Sequence, residues 1–152
     1  MQHIITADVP AVLEHDDTVA SYFMLPMESM REATQGSHLQ FVNEFTVDPL
    51  KAIEPHFHDS HEFYYVLSGR GTMRVGTDVY VVTPGDLVHT PPNVPHSIFA
   101  HHSGVRCLAF AVSFAEKGQP AHTPVHFDDW PPPPPTPSTS QVSQPSEASR
   151  VP

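Results

Sequence analysis

An all-β, antiparallel barrel or sandwich is the fold class this sequence predicts, and three observations predict it. From His38 onward apolar and polar residues alternate in short runs. Those runs are separated by turns containing glycine or proline, and no stretch carries the period of a long helix. Short strands at regular spacing bury their apolar faces by closing into a barrel or by stacking two sheets.

The elements follow in order. In the first 35 residues "DVPAVLEHDD" and "PMESMREATQG" suggest short helical turns punctuated by Pro10 and Pro26, and "VASYFML" a strand. "HLQFVNEFTV" puts Leu39, Phe41, Phe45 and Val47 on one side and Gln40, Glu44 and Thr46 on the other. That alternation marks a half-buried strand, ended by Asp48-Pro49. "FYYVLSG" is β-branched and aromatic and leads into a turn at Gly69-Arg70-Gly71. "TMRVG" and "DVYVV" form a hairpin about Gly76-Thr77-Asp78. Pro84-Gly85-Asp86 is a further turn, and "LVHT" is a short strand stopped by Pro91-Pro92-Asn93. "HSIFA" and "VRCLAFAVSF" are the last two strands, with His101 and His102 in a turn between them.

The chain of 152 residues suggests one domain. The end from Pro131, "PPPPPTPSTSQVSQPSEASRVP", has too few apolar side chains to offset the entropy of ordering, and its proline run favours extended polyproline II. The expected organisation is an N-terminal extension packing on a barrel (1–35), the barrel itself (36–128) and a disordered Pro/Ser-rich tail (129–152). The formal net charge is -10, with only seven Lys and Arg. That balance argues against nucleic acid and against an anionic membrane surface as partners. The first residues lack a basic region followed by an apolar run, and no apolar stretch has membrane-spanning length, so a cytoplasmic home is expected. Cys107 is the single cysteine, which excludes an intrachain disulfide and a cysteine-built zinc site. Its setting, "VRCLAFAV", is that of a buried strand residue.

Chemistry concentrates in "PHFHDSHEFYYVLSGRG", Pro55 to Gly71. His56 and His58 have the same parity on an extended strand, so both imidazoles can aim at one point, and Glu62 keeps that parity. His61, beside Glu62, points the other way. A fourth ligand has to come from elsewhere, and "PPNVPH" offers His96 on a proline-stiffened turn. Three imidazoles and a carboxylate suit Fe(II), Mn(II), Ni(II), Co(II) or Zn(II). In an octahedral sphere they leave two open positions for substrate, water or dioxygen.

The spacing His56-x-His58, three residues, Glu62, six residues, Gly69 resembles the first motif of the cupin superfamily, and Pro84, Gly85, Asp86, Pro95 and His96 resemble the second. The leading glycine of the first motif is missing from "DPLKAIEPH". The resemblance spans about residues 38 to 115. It implies a small single-domain cupin: a jelly-roll barrel, one divalent metal on His56, His58, Glu62 and His96, a small-molecule substrate, and a homodimer. Iron(II) dioxygenase chemistry is the first expectation. A non-redox lyase, isomerase or decarboxylase is the alternative, because the order also looks like cupin dimethylsulfoniopropionate lyases, in which the tyrosine position, here Tyr64, serves as base. A binding or sensing module without turnover is the third reading. Further candidates are His89 as an acid–base or supporting histidine and Arg74 as a clamp for a substrate carboxylate. His122 and His126 are expected to be solvated, and His3, His15 and His38 join no constellation.

Overall fold

The structure is a computed structural model and describes residues 4–25, 38–113 and 122–133. Its strands are β1 (Val12–Glu14), β2 (Val19–Leu25), β3 (Leu39–Val47), β4 (His56–Phe57), β5 (His61–Val75), β6 (Asp78–Val82), β7 (Leu87–Thr90), β8 (His96–Val112) and β9 (Thr123–Pro124). All pairings are antiparallel. The strands join in one sheet of order β1-β2-β3-β8-β4-β9, with β5 also on β8 and carrying β6 and β7. The sheet curls into a half-barrel whose concave face holds the core, including Phe45, Val66, Met73, Ile98 and Cys107. Among the described residues the helical element is the 3-10 turn Thr6–Asp8, and no helix is long and apolar enough to cross a membrane.

Two expected turns are absent because the chain runs straight through them. β5 is continuous across Gly69-Arg70-Gly71, and β8 is continuous across His101 and His102. Each strand bends instead of stopping. β5 pairs with the C-terminal half of β8 from His61↔Val112 to Gly69↔Val105, shifts register, and pairs with its N-terminal half from Gly71↔Ala100 to Val75↔His96. Gly69 makes the bend possible: its φ is +82°, and a Cβ there would sit 2.2 Å from the carbonyl oxygen of Gly104. Glycine marks a bulge here rather than a chain reversal. His101 is buried within β8, with Nε2 2.8 Å from the Thr72 hydroxyl.

The N-terminal segment joins the sheet as strands. Within "DVPAVLEHDD", where a helical turn is expected, Val12–Glu14 forms strand β1, paired with β2, which pairs with β3. The reversal between β1 and β2 has positive φ at His15, Asp16 and Asp17, closed by Thr18 donating to the His15 carbonyl. The second expected helical turn, "PMESMREATQG", lies outside the described residues. At the other end β9 pairs with β4, and Arg74 reaches beyond residue 128 to Asp129 at 2.5 Å while its guanidinium lies 3.9 Å over the Phe127 ring.

Candidate metal centre

The alternation of β5 turns Glu62, Tyr64 and Val66 inward and Phe63, Tyr65 and Leu67 outward. β4 and the start of β8 meet at His56↔His96. His58 follows from the β4–β5 connection. The result is one ligand atom each from His56, His58, Glu62 and His96, all within 4.8 Å of one another and all buried. Side chains 40 residues apart in sequence converge because β8 crosses both halves of the sheet.

Each imidazole is fixed through Nδ1. His56 Nδ1 donates to the Glu54 carbonyl at 2.7 Å, His96 Nδ1 to the Val94 carbonyl at 3.0 Å, and His58 Nδ1 to the Ser60 carbonyl at 3.1 Å. A carbonyl can only accept, so in the neutral rings Nε2 carries the lone pair. At His58 and His96 that lone pair faces Glu62 Oε2, at 2.7 and 3.2 Å. Two acceptors meeting at that distance need a proton or a cation between them. The donor set therefore fits a divalent ion, and the anchored Nδ1 groups are the support that metal-bound histidines require.

The electrostatics say the same. Burial drives His56 down to about 3, with the neighbouring His96 adding to the effect. Burial also pushes His58 down, but the hydrogen bond and charge of Glu62 outweigh it and hold the ring above 6.5. Burial alone would raise Glu62; hydrogen bonds from His58 and His96, with their charges, keep it well below the usual carboxylate range. Tyr64 donates to Glu62 Oε2 at 3.0 Å, and burial together with the Glu62 carboxylate holds its phenol well above 10.

The centre opens into a cavity of about 310 Å³. Phe23, Phe41 and Phe45 supply aromatic walls, Ile53 an aliphatic one, and Ala109 a low floor. Glu14, bonded to the Ser21 hydroxyl, Asn43 and Tyr64 add polar groups.

Two histidines assigned no site, His15 and His122, line this cavity. His122 stands at the mouth and stacks on His56 with ring centroids 3.9 Å apart, and lies 5.7 Å from His15. His15 accepts the Glu54 backbone N–H on Nδ1 at 3.1 Å. Both come from segments remote in sequence, so no local spacing signals them. Asn43 does carry a signal: it is a polar residue among the inward positions of β3.

Other candidates lie elsewhere. Val88 and Thr90 of β7 point inward, which turns His89 to the outer face. There it meets His61 Nδ1 at 2.9 Å and stacks on Phe63. Arg74 does not line the cavity; its guanidinium is spent on Asp129, Phe127 and the Gly76 carbonyl. Cys107 is fully buried, and burial pushes its thiol up to about 12.

Comparison with known proteins agrees with this architecture. A cupin domain model matches residues 43–113. An uncharacterised protein of Streptomyces coelicolor is 31% identical over 83 residues, half of this chain and 77% of that protein. One from Methanocaldococcus jannaschii is 44% identical over 39 residues, 26% of this chain and 31% of that protein's length. Among solved structures, the polyketide cyclase RemF from Streptomyces resistomycificus superposes with a TM-score of 0.67 at 20% identity, over 85% of this chain and 88% of its own. A predicted oxalate decarboxylase from Thermotoga maritima gives 0.63 at 18% identity, over 74% and 100%. With the two motifs, the curled sheet and the convergent ligand set already in place, these likenesses establish that the chain belongs to the cupin superfamily.

Proposed function

We propose that the chain is a metal-dependent enzyme that holds one divalent transition metal on His56, His58, Glu62 and His96 and acts on a small organic molecule in the adjoining cavity. The observation that carries this is the convergence of three Nδ1-anchored imidazoles and one carboxylate at the floor of an open, mostly apolar cavity. An ion held by these four residues would supply redox chemistry towards dioxygen if it were iron(II), or Lewis-acid polarisation of a substrate oxygen if it were a non-redox ion.

The cavity walls favour the oxygenase reading over a lyase of anionic substrates. Among the described lining residues there is no Lys or Arg to meet a carboxylate, and Glu14 adds negative charge. The Tyr64 hydroxyl is committed to Glu62 as a donor, which does not support its use as a base. A second reading is metal-assisted ring closure or rearrangement of a neutral aromatic or polyketide-like substrate. The aromatic walls favour it, and so does the likeness to a polyketide cyclase.

The test is metal content by elemental mass spectrometry on tag-free protein. One equivalent per chain is expected in the wild type and less than about a tenth in His58→Ala. Iron, followed by substrate-dependent oxygen uptake, supports the oxygenase; zinc, nickel or manganese, with anaerobic turnover, supports the second reading. Wild-type protein that takes up no ion after reconstitution defeats the proposal. A loaded protein with no turnover on any aromatic or polyketide substrate leaves a binding module.

A further inference from the structure

His15 is a cavity histidine that the metal centre does not use. It is half-buried and lines the cavity. Its Nδ1 accepts the Glu54 backbone N–H at 3.1 Å, and the Glu54 carbonyl accepts from His56 Nδ1 at 2.7 Å. One residue therefore carries both rings, His15 on its N–H and the candidate ligand His56 on its C=O. The ring centroids lie 6.2 Å apart, and the planes are within 27° of parallel. In each ring Nε2 is the nitrogen that points away from the Glu54 backbone.

The two backbone contacts impose opposite tautomers. A carbonyl only accepts, so His56 keeps its proton on Nδ1 and offers a lone pair at Nε2. A backbone N–H only donates, so His15 keeps its lone pair on Nδ1 and, in the neutral ring, carries its proton on Nε2. An imidazolium at position 15 would set two N–H groups against each other. His15 is thus a hydrogen-bond donor beside a ligand, not a ligand itself. Its Nε2 has no hydrogen-bond partner among the described residues, and it is not one of the buried polar atoms closed to solvent, so a molecule in the cavity can reach it. The backbone that presents the ring is strained. φ is +53° at His15, +55° at Asp16 and +62° at Asp17, a left-handed run without glycine. A glycine at position 15 would take this conformation at no steric cost but would present no donor.

We propose that His15 positions the substrate: its Nε2–H donates to a carbonyl oxygen of a molecule whose other end lies at the metal centre. The inference rests on the metal-centre reading above and adds a carbonyl group to its substrate class. With the aromatic walls of Phe23, Phe41 and Phe45, the fitting class is an aryl ketone or a related carbonyl compound. Gln40 and Asn43 also bring amide N–H groups to the lining, so the contribution of His15 has to be isolated by substitution.

Calorimetric titration of the full-length protein, zinc-loaded and metal-free, tests it with two probes. One is 6-hydroxy-1-tetralone, with a phenolic hydroxyl at one end and a ketone at the other. The second, 5,6,7,8-tetrahydro-2-naphthol, lacks only the ketone. The ratio of their affinities is expected to fall about fivefold or more in His15→Leu. In His15→Gln, whose amide N–H replaces the donor, it is expected to stay within about twofold of the wild type. A ratio unmoved by His15→Leu, an equal fall in both variants, which marks a packing role, or no binding of the ketone overturns the proposal. The tautomer is read on metal-free wild-type protein by long-range proton–nitrogen correlation of the histidine rings, with His15 identified by the signals missing from His15→Gln. A proton on Nε2, shifted by the ketone and not by the naphthol, is expected; a proton on Nδ1 overturns the proposal. Neither the tautomer nor the metal-free ratio needs an ion, so their failure is distinct from a failure of the metal content that tests the centre.

Discussion

At the scale of single residues, the candidate ligands are held in place by their own backbone surroundings. Ser60 holds His58 twice, through its carbonyl at 3.1 Å and its hydroxyl at 3.0 Å from Nδ1. Removing the hydroxyl leaves one anchor and a freer ring. Ser60→Ala is expected to weaken zinc or iron binding by roughly tenfold with little change in fold stability, measured by competition against a chelating indicator. His56, His58 and Glu62 could be grouped from sequence because parity on an extended chain and a short spacing are local properties, whereas His96 was offered only by its proline-rich turn and the second motif. Asn43, His15 and His122 were not, since their meeting depends on which strands pair. Asn43 alone left a trace, as a polar break in an alternating run.

At the scale of elements, the long strands β5 and β8 were read as four shorter ones. Glycine pairs and a double histidine carry the composition of a turn, but glycine also serves where a strand must bend against a close neighbour. The structure uses Gly69 in the second way. Gly69→Ala would place a methyl group 2.2 Å from a backbone oxygen at a φ of +82°. It is expected to cost about 3 kcal/mol or more, read from urea unfolding, because neither backbone can yield without breaking the β5–β8 pairing. The hairpin at Gly76-Thr77 and the turns at Pro84-Gly85 and Pro92-Asn93 match the sequence reading, since there the chain does reverse and the turn chemistry is local.

At the scale of the molecule, the centre ties together β4, β5 and β8, so an ion bound only by the folded state adds to global stability. At a free ion concentration one hundred times the Kd, the gain is about 2.7 kcal/mol. Thermal melts with zinc and with a chelator measure it, and a loaded protein that melts with the chelated one would contradict the centre. The gain should depend on pH in a defined direction. In the metal-free fold His58 is held above 6.5, so its proton contributes stability that is complete below 6.5 and lost as pH rises through the raised value. The ion displaces that proton, so the difference between loaded and chelated melts grows upward through the same window and shrinks toward pH 5. His56, held near 3, adds no competition above that value.

The family-model match begins at residue 43, which has a consequence for how such a protein changes over time. The four candidate metal ligands fall between His56 and His96, whereas Glu14, His15, Ser21, Phe23 and Phe41 of the cavity precede the match. The candidate ligands thus lie in one stretch of chain, while the cavity walls come from both, since Asn43, Phe45, Ile53, Tyr64 and Ala109 lie within the match. Substitutions before residue 43 would alter part of the cavity wall and leave the four candidate ligands in place. A common centre would then serve many substrates, and resemblance confined to the second stretch would report the chemistry available but not the compound it is used on.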